Sequence, residues 1–450
     1  MRLASTVARA AGALSRRTGR GGTSLPGKVL LRLEPHAIGK LAAGLPRGNA
    51  VISATNGKTT TAAMVAAILE RTGAQLVHNR AGANMAGGVA SALLHGRGDT
   101  GLFEVDEFWL DRVVPELKPR AILLANLFRD QLDRYGELET IAERWADVVA
   151  ATDAQLVLNA DDPTIADLGK GSDPLTNTGV LYFGMGDDSV QLPGLPHASD
   201  AKHCRRCGRP YVYDAVYLGH LGRYHCPTGD STRPAPQIAA REVTLDGVRG
   251  ARFTLRTPQG DRTVRLPLPG LYNVYNALAA AALATTLGAG LDDIVAGLEA
   301  VSPAFGRAET VHLGGRDLSI LLVKNPAGAN EVVRTLALEP GEQDVLGVLN
   351  DRTADGRDVS WVWDADFEVL APTLRRVVCS GTRAPELAVR LKYAGVPADR
   401  LVVEPDLPTA LDAAVQDGSG PLYAIPTYTA MLELRQELVR RGVAGSSWTT

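Results

Sequence analysis

The 450-residue chain is short of cysteine, of net charge and of long apolar runs, and each shortage excludes something. Four cysteines cannot staple a chain of this length, so no disulfide framework is expected and the composition suits a reducing compartment. A formal net charge of −3 provides no overall field that would gather nucleic acid. No stretch reaches the run of about 18 apolar residues that a membrane-crossing helix needs. The N-terminus lacks the apolar centre and small-residue cleavage site of a secretory signal. Internal repeats and long low-complexity linkers are missing as well. What is left is the expectation of a cytoplasmic protein, whose 45% hydrophobic content suffices for two or three domains with cores of their own.

The charge that is present is uneven. Residues 1–35 contain Arg2, Arg9, Arg16, Arg17, Arg20, Lys28 and Arg32 against a single acid, Glu34. An arginine-rich, acid-poor start reads as a transit peptide, a membrane-surface helix or a solvated basic segment.

The rest of the chain alternates. Ala50, Val51 and Ile52 predict a buried strand, and Thr59 to Arg71, with Met64, Val65, Ile68 and Leu69 apolar, predicts a helix. Strand-like runs follow at Gly101–Val105, Ala121–Asn126 and Gln155–Asn159, separated by helical segments such as Ile141–Ala151. This rhythm predicts a parallel α/β sheet. Residues from about 186 to 238, rich in Pro, Gly, His and Cys, interrupt it and are expected to form an insertion. Residues 240–268 alternate like short strands around a turn at Pro258-Gln259-Gly260-Asp261. An alanine-rich helix is expected from Asn273 to about Leu287. A second α/β rhythm starts after about residue 310, with strands near 318–323, 344–349, 375–379 and 421–425.

Between the first strand and its helix lies Thr55-Asn56-Gly57-Lys58-Thr59-Thr60-Thr61. Strand–loop–helix is the setting of a phosphate-binding loop. Gly57 lets the backbone approach phosphate oxygens, Lys58 offers a point charge to the β- and γ-phosphates, and the Thr59 hydroxyl suits Mg²⁺. The helix N-terminus adds partial positive charge. The first glycine of the general motif is missing, since Ile52 stands in its place.

The cysteines divide into two groups. Cys204, Cys207 and Cys226 follow zinc-ribbon spacing, a Cys-x2-Cys pair and then a second site about 18 residues on. Gly229 occupies the position of the fourth cysteine, and His203, His220, His225 or Asp230 could supply the remaining ligand. The alternative is a ribbon without metal, held by its aromatic residues. Cys379 follows an apolar run and reads as a strand-end core residue rather than a nucleophile.

Six segments, in order, resemble the Mur ligase superfamily: "TNGKTTT" at 55–61, "FEVDEF" at 103–108, "NLFRDQLDRYGELE" at 126–139, "LNADDP" at 158–163, "LPGLYNVYNALAAAA" at 268–282 and "FGRAE" at 305–309. "FRDQLDRYGE", the cysteine-bearing insertion, "KNPAGANEV" at 324–332 and "ADGRDVSWVWD" at 354–364 narrow the resemblance to the MurT family. Its members are ligase-like subunits of lipid II isoglutaminyl synthases, which work with a GatD-type glutamine amidotransferase subunit.

The resemblance implies an α/β fold in three parts. A short basic segment spans 1–45. A Mur ligase-like ATP-binding domain with a phosphate loop spans 46–310, with a small ribbon-like insertion at about 200–235. A C-terminal Rossmann-like α/β domain spans 311–450. The resemblance also implies ATP and Mg²⁺ as cofactors, with Zn²⁺ added if the ribbon is metallated. Thr55, Asn56, Gly57, Lys58, Thr59 and Thr60 would cradle the nucleotide, Asn273 would contact the adenine with Asn276 nearby, and Arg307 would join them. Thr59 would hold the magnesium with Glu104 or Glu107, a choice the sequence leaves open. The implied reaction is amidation of the α-carboxyl of D-isoglutamate in the lipid II stem peptide, through an acyl phosphate. Mur ligases carry a UDP-gripping domain of about 100 residues before the loop. Only about 50 residues precede it here, too few for such a domain, so the substrate is not expected to be gripped through UDP in that way. A lipid-linked substrate at the inner membrane surface fits, but folylpolyglutamate synthases lack that domain too, so its absence alone does not choose. With no evident nucleophilic cysteine, ammonia is expected from the partner. An aspartate after the strand ending at Leu349 would serve the subunit junction. Asp355 is the first choice, expected to project from a turn before Gly356, and Asp358 is its rival. A stand-alone ligase of the Mur or folylpolyglutamate type is the alternative enzyme. No nucleic-acid partner is expected.

Overall fold

The structure is a computed structural model that describes residues 1–17, 24–79, 83–130, 137–170, 179–196, 199–301, 309–416, 418 and 420–445. Three helices open the chain: α1 (Arg2–Arg17), α2 (Leu25–Leu33) and α3 (Ala37–Ala42). There follow β1 (Asn49–Ser53), α4 (Lys58–Arg71), β2 (Leu76–His78), α5 (Ala86–His95), β3 (Thr100–Glu104), α6 (Leu110–Leu117) and β4 (Ala121–Leu124). The parallel series ends with α7 (Leu138–Ala150), β5 (Gln155–Asn159), α8 (Pro163–Leu168) and β6 (Val180–Met185). Every residue of β1, β3 and β4 is buried. That is why these strands read as continuous apolar runs rather than alternating ones, since helices cover both faces of the sheet.

The insertion carries a hairpin, β7 (Val212–Leu218) and β8 (Leu221–His225). The chain then returns as β9 (Ile238–Leu245), parallel to β6, and finishes the sheet with antiparallel β10 (Ala251–Thr257) and β11 (Gly260–Leu266). The alternating burial of β10 and its exposed partner positions fit an edge with one covered face. The nine strands run in the order β11-β10-β9-β6-β5-β4-β1-β3-β2. The chain leaves β1 toward one edge, returns to β3, and crosses to β4 on the other side of β1. The C-terminal end of β1 is therefore a switch point, where open α/β sheets form a crevice.

Helix α9 (Leu271–Thr286) packs against α4 and strands β4, β5, β6 and β9. It is buried on nearly every side, and its alanines let the sheet and α4 come close. Helix α10 (Leu291–Glu299) covers α4 and β11.

A second sheet of six strands begins at β12 (Glu309–Leu313) and β13 (Arg316–Ile320) and continues through α11 (Pro326–Ala337), β14 (Gln343–Val348), β15 (Leu374–Ser380), α12 (Ala384–Tyr393), β16 (Leu401–Val403), α13 (Leu407–Gln416), β17 (Leu422–Pro426) and α14 (Tyr428–Arg440). Its order is β12-β13-β17-β14-β15-β16, parallel except at β12. Cys379 lies inside β15 with no exposed surface, and burial pushes its thiol up to about 12.

Candidate active site

The loop after β1 is fixed from three directions. Gly57 has φ 84°, a left-handed conformation that favours glycine, and an added Cβ would lie 2.0 Å from Asn276 Oδ1. Asn276 comes from α9 and accepts a hydrogen bond from the Thr61 hydroxyl at 3.3 Å. From the end of β4, Asn126 accepts from the Asn56 amide at 2.9 Å and donates to the Asn56 carbonyl at 3.0 Å. Thr55 exchanges bonds with the Phe128 backbone, and its amide donates to the Asn126 carbonyl. Thr60 is half-buried on the first turn of α4.

Lys58 is buried and folded back on its own loop. Its ammonium donates to the carbonyls of Ala54 and Thr55 and to Glu107 Oε2, the last at 2.8 Å. Burial alone would lower its pKa, but the carboxylates of Glu107, Asp106 and Glu104 outweigh that and raise it. Burial pushes the Glu107 carboxyl up, and Lys58 and Lys324 override it, so that it sits below the usual carboxylate range. Glu104, at the end of β3, accepts from the Thr59 hydroxyl at 3.1 Å. Asn79 holds that strand end, donating to the Glu104 carbonyl at 2.8 Å and accepting from its amide at 3.0 Å. The two glutamates left open by sequence thus have different surroundings: Glu104 faces Thr59, and Glu107 faces the lysine.

Two residues with no role assigned from sequence reach this cluster from the second sheet. Lys324 donates to the Thr55 carbonyl at 2.8 Å and to Asp130 at 2.5 Å. Asn325 exchanges side-chain hydrogen bonds with Asn56 at 3.3 and 3.0 Å, while capping α11 through the Gly328 amide at 2.9 Å. The signal for them was a polar pair between an apolar run and a helix-starting proline in "KNPAGANEV". Asp130, whose carboxyl is pushed up by burial against the pull of Lys324, completes the ring of charge.

Asn273 is buried, its amide donating to the Pro269 carbonyl at 2.8 Å and its oxygen accepting from Asn276 at 3.0 Å. Arg307 lies outside the described residues. Asp355 departs from its expected outward pose. It is 6% exposed, and its carboxylate turns inward to accept from the Thr429 amide at 2.7 Å and from the Thr429 hydroxyl. The reason is local: Thr429 opens α14, whose first amides have no partner within the helix, and an aspartate satisfies one of them. Asp358 is the exposed carboxylate of this loop and accepts from the Ser360 amide at 2.8 Å.

In the insertion, the Sγ atoms of Cys204, Cys207 and Cys226 all lie within 4.8 Å of one another. The Thr228 hydroxyl sits beside Cys226 at 2.9 Å and Cys207 at 3.3 Å, and its hydrogen bond holds the Cys226 thiol down to about 6. His220 is committed elsewhere, fully buried 3.3 Å from Asp162 and against the Phe128 ring. His225 faces Asp214 at 3.6 Å.

Comparison with known proteins agrees with this geometry. The Mur ligase middle-domain family matches residues 52–204 and the MurT ligase C-terminal family matches residues 322–431. A pseudomurein peptide ligase type C from Methanothermus fervidus superposes with a TM-score of 0.68 at 22% identity, covering 89% of this chain and 80% of its own. The Mycobacterium tuberculosis folylpolyglutamate synthase complexed with ADP gives 0.61 at 17%, covering 89% and 92%. Fold and loop together define a Mur ligase-like protein. The subunit MurT of lipid II isoglutaminyl synthase (glutamine-hydrolyzing) from Staphylococcus aureus is 34% identical over 98% of both chains, and that of Streptococcus pneumoniae 32% identical over 95% of this chain and 94% of its own. The chain belongs to the MurT family.

Proposed function

We infer that this chain is the ATP-dependent ligase subunit of a glutamine-hydrolysing lipid II isoglutaminyl synthase, acting in peptidoglycan synthesis. The observation that carries the reading is kinship along nearly the whole length to MurT subunits. A carboxylate is unreactive toward ammonia because oxide is a poor leaving group. Attack of the α-carboxylate oxygen on the γ-phosphorus of ATP releases ADP and leaves an acyl phosphate. Ammonia then attacks the acyl carbon, phosphate departs, and the amide forms. Lys58 and Lys324 supply positive charge where the phosphoryl group moves. Thr59 and Glu104 offer hard oxygen donors 3.1 Å apart, a set that fits Mg²⁺, while Glu107 holds Lys58 in register. The ion would neutralise charge on the phosphates. Asn273 and Arg307 stand as nucleotide-binding candidates on the resemblance alone, Asn273 on the adenine side.

Ammonia comes from a partner of the GatD type. Cys379 is buried with a raised thiol pKa, and the other three cysteines stand together in the insertion, which leaves no cysteine arranged as a glutaminase nucleophile. Reconstitution with a glutamine amidotransferase subunit tests the reading. Glutamine-dependent ADP release with amidation of a lipid II analogue is expected. Transfer of a whole amino acid without any partner would instead identify a stand-alone ligase.

The insertion is read as a structural zinc ribbon. Three thiols within 4.8 Å of one another suit Zn²⁺, and Asp230, bonded to the Thr228 hydroxyl that touches Cys207 and Cys226, is the candidate we favour for the fourth ligand. The two knuckles have the same span: the Cys204 amide bonds the Arg209 carbonyl, and the Cys226 amide bonds the Ser231 carbonyl. Where the first knuckle has Cys207, the second has Gly229 with φ 80°, and Asp230 follows, bonded to Thr228. Metal analysis should find one Zn²⁺ per chain. Asp230→Ala should weaken it by at least the roughly 10- to 100-fold that loss of an outer-shell partner costs, and lower the melting temperature without changing ATP affinity. Metal-free protein with wild-type stability would refute the zinc reading, and zinc retained unchanged in Asp230→Ala would refute the ligand.

A further inference from the structure

We propose that α1 is an interfacial helix that seats the protein on an anionic lipid surface through a stripe formed by Leu3, Val7 and Leu14. At 3.6 residues per turn these three positions fall within about 40° of one another. All three side chains are exposed, Leu3 by 80% and Leu14 by 66%. A solvent-facing line of large aliphatic side chains on a docked helix is left unexplained by the fold.

The helix does not need that line for its own packing. Its opposite face carries Ala8, Gly12 and Ser15, all buried, and Ala8 joins Leu30, Ala37 and Leu94 in a small core with Ala4 at its edge. Arg9 fastens the helix to the body by donating to the Leu94 carbonyl at 2.9 Å. One face of small residues therefore holds α1 to the protein, and the apolar stripe points away.

Charge decides between occupants. The helix contains Arg2, Arg9, Arg16 and Arg17 and no acid. Positions 2, 9 and 16 recur every seven residues and fall in one line about 140° round the helix from the stripe, at the far margin of the exposed face that Thr6, Ala10 and Ala13 complete. An exposed apolar stripe on a helix with four arginines and no acid is the composition of helices that lie in the headgroup region with their apolar side chains among the acyl chains. A second copy of the same helix would set two like-charged segments, each with four arginines and no acid, against each other. Among the described residues no helix is long and apolar enough to cross a membrane, so α1 would lie on the surface rather than span it. The proposal concerns a surface apart from the phosphate loop and is read without turnover.

The test uses the full chain with sonicated vesicles of equal parts phosphatidylglycerol and phosphatidylcholine, and with phosphatidylcholine alone. Sedimentation with the anionic vesicles is expected, falling as salt rises. The double variant Leu3→Glu, Leu14→Glu should lower it at least about tenfold, with ATP binding and melting temperature unchanged. A Leu3→Trp variant should shift its emission to the blue on anionic vesicles. Equal sedimentation of wild type and double variant, an unshifted Trp emission, or loss of a vesicle-independent dimer in the double variant would each overturn the proposal.

Discussion

Lys58→Ala stops ATP-dependent turnover, with kcat expected to fall on the order of 10²–10³ or more, as when a preorganised charge is removed from a developing oxyanion. The variant also exposes a second effect. Lys58 and Glu107 form a buried pair at 2.8 Å, and removing one partner strands the other charge in a low dielectric, at a cost of about 3–5 kcal/mol. Lys58→Arg separates the two effects. It keeps a cation for Glu107, so the melting temperature should stay near wild type, yet a planar fork cannot replace a compact ammonium in a loop this tight. Measured ADP release close to wild type in Lys58→Arg and Lys58→Ala would sink the nucleotide-site assignment. The pair also sets an acid limit. The Glu107 carboxyl is lowered in the folded state, so its contribution is fully present above the ordinary glutamate range and is lost as pH falls through the lowered value. Lys58→Ala should flatten that acid limb of a stability profile.

Asp355→Asn is the second large effect, and the burial of this side chain makes it sharper to read. An asparagine keeps one acceptor oxygen for Thr429 and loses the charge. The hydrogen bonds it weakens are charge-assisted, worth about 1.5–3 kcal/mol each, so some loss of stability is expected whatever its role. If Asp355 also serves the subunit junction, glutamine-dependent amidation should fall by more than the stability loss explains, with ATP binding and complex formation intact. Free ammonia then distinguishes the roles: rescue assigns Asp355 to the glutaminase side, where a carboxylate can orient an imidazole, and no rescue assigns it to the ligase step. Thr429→Val provides the control. It removes the hydroxyl partner of Asp355 and leaves the carboxylate. Equal loss of amidation in Thr429→Val and Asp355→Asn would reduce Asp355 to a helix cap, and full activity of Asp355→Asn with glutamine would remove it from the mechanism.

How legible the molecule was in its sequence depended on the range of the interaction concerned. The strand at Gln155–Asn159 and the helix after the loop stand within a residue of their expected bounds, because hydrophobic period and Gly57 are local properties. The opening helices were harder. Arginine content marked residues 1–35 as unusual, but α1 buries alanine, glycine and serine, so its packing face carries no hydrophobic pattern to read. Glu104 and Glu107 are three residues apart, and only the seating of β3 beside β1 and the reach of Lys58 separate them. Asp355 was misjudged in pose because its partner, Thr429, is 74 residues away.

By itself the sequence determined the parallel α/β rhythm, the phosphate loop, the cysteine cluster and the kinship to a ligase family, since each is written in spacings of a few residues. The tertiary structure alone decided which charges meet. Lys324 and Asn325 reach the loop from another sheet across 269 positions of chain. Glu107 is turned to the lysine and Glu104 to the threonine, and Asp355 is turned to a helix end. Pairing of charges across a crevice depends on distance and burial, which sheet order and domain contact create and which no local pattern encodes.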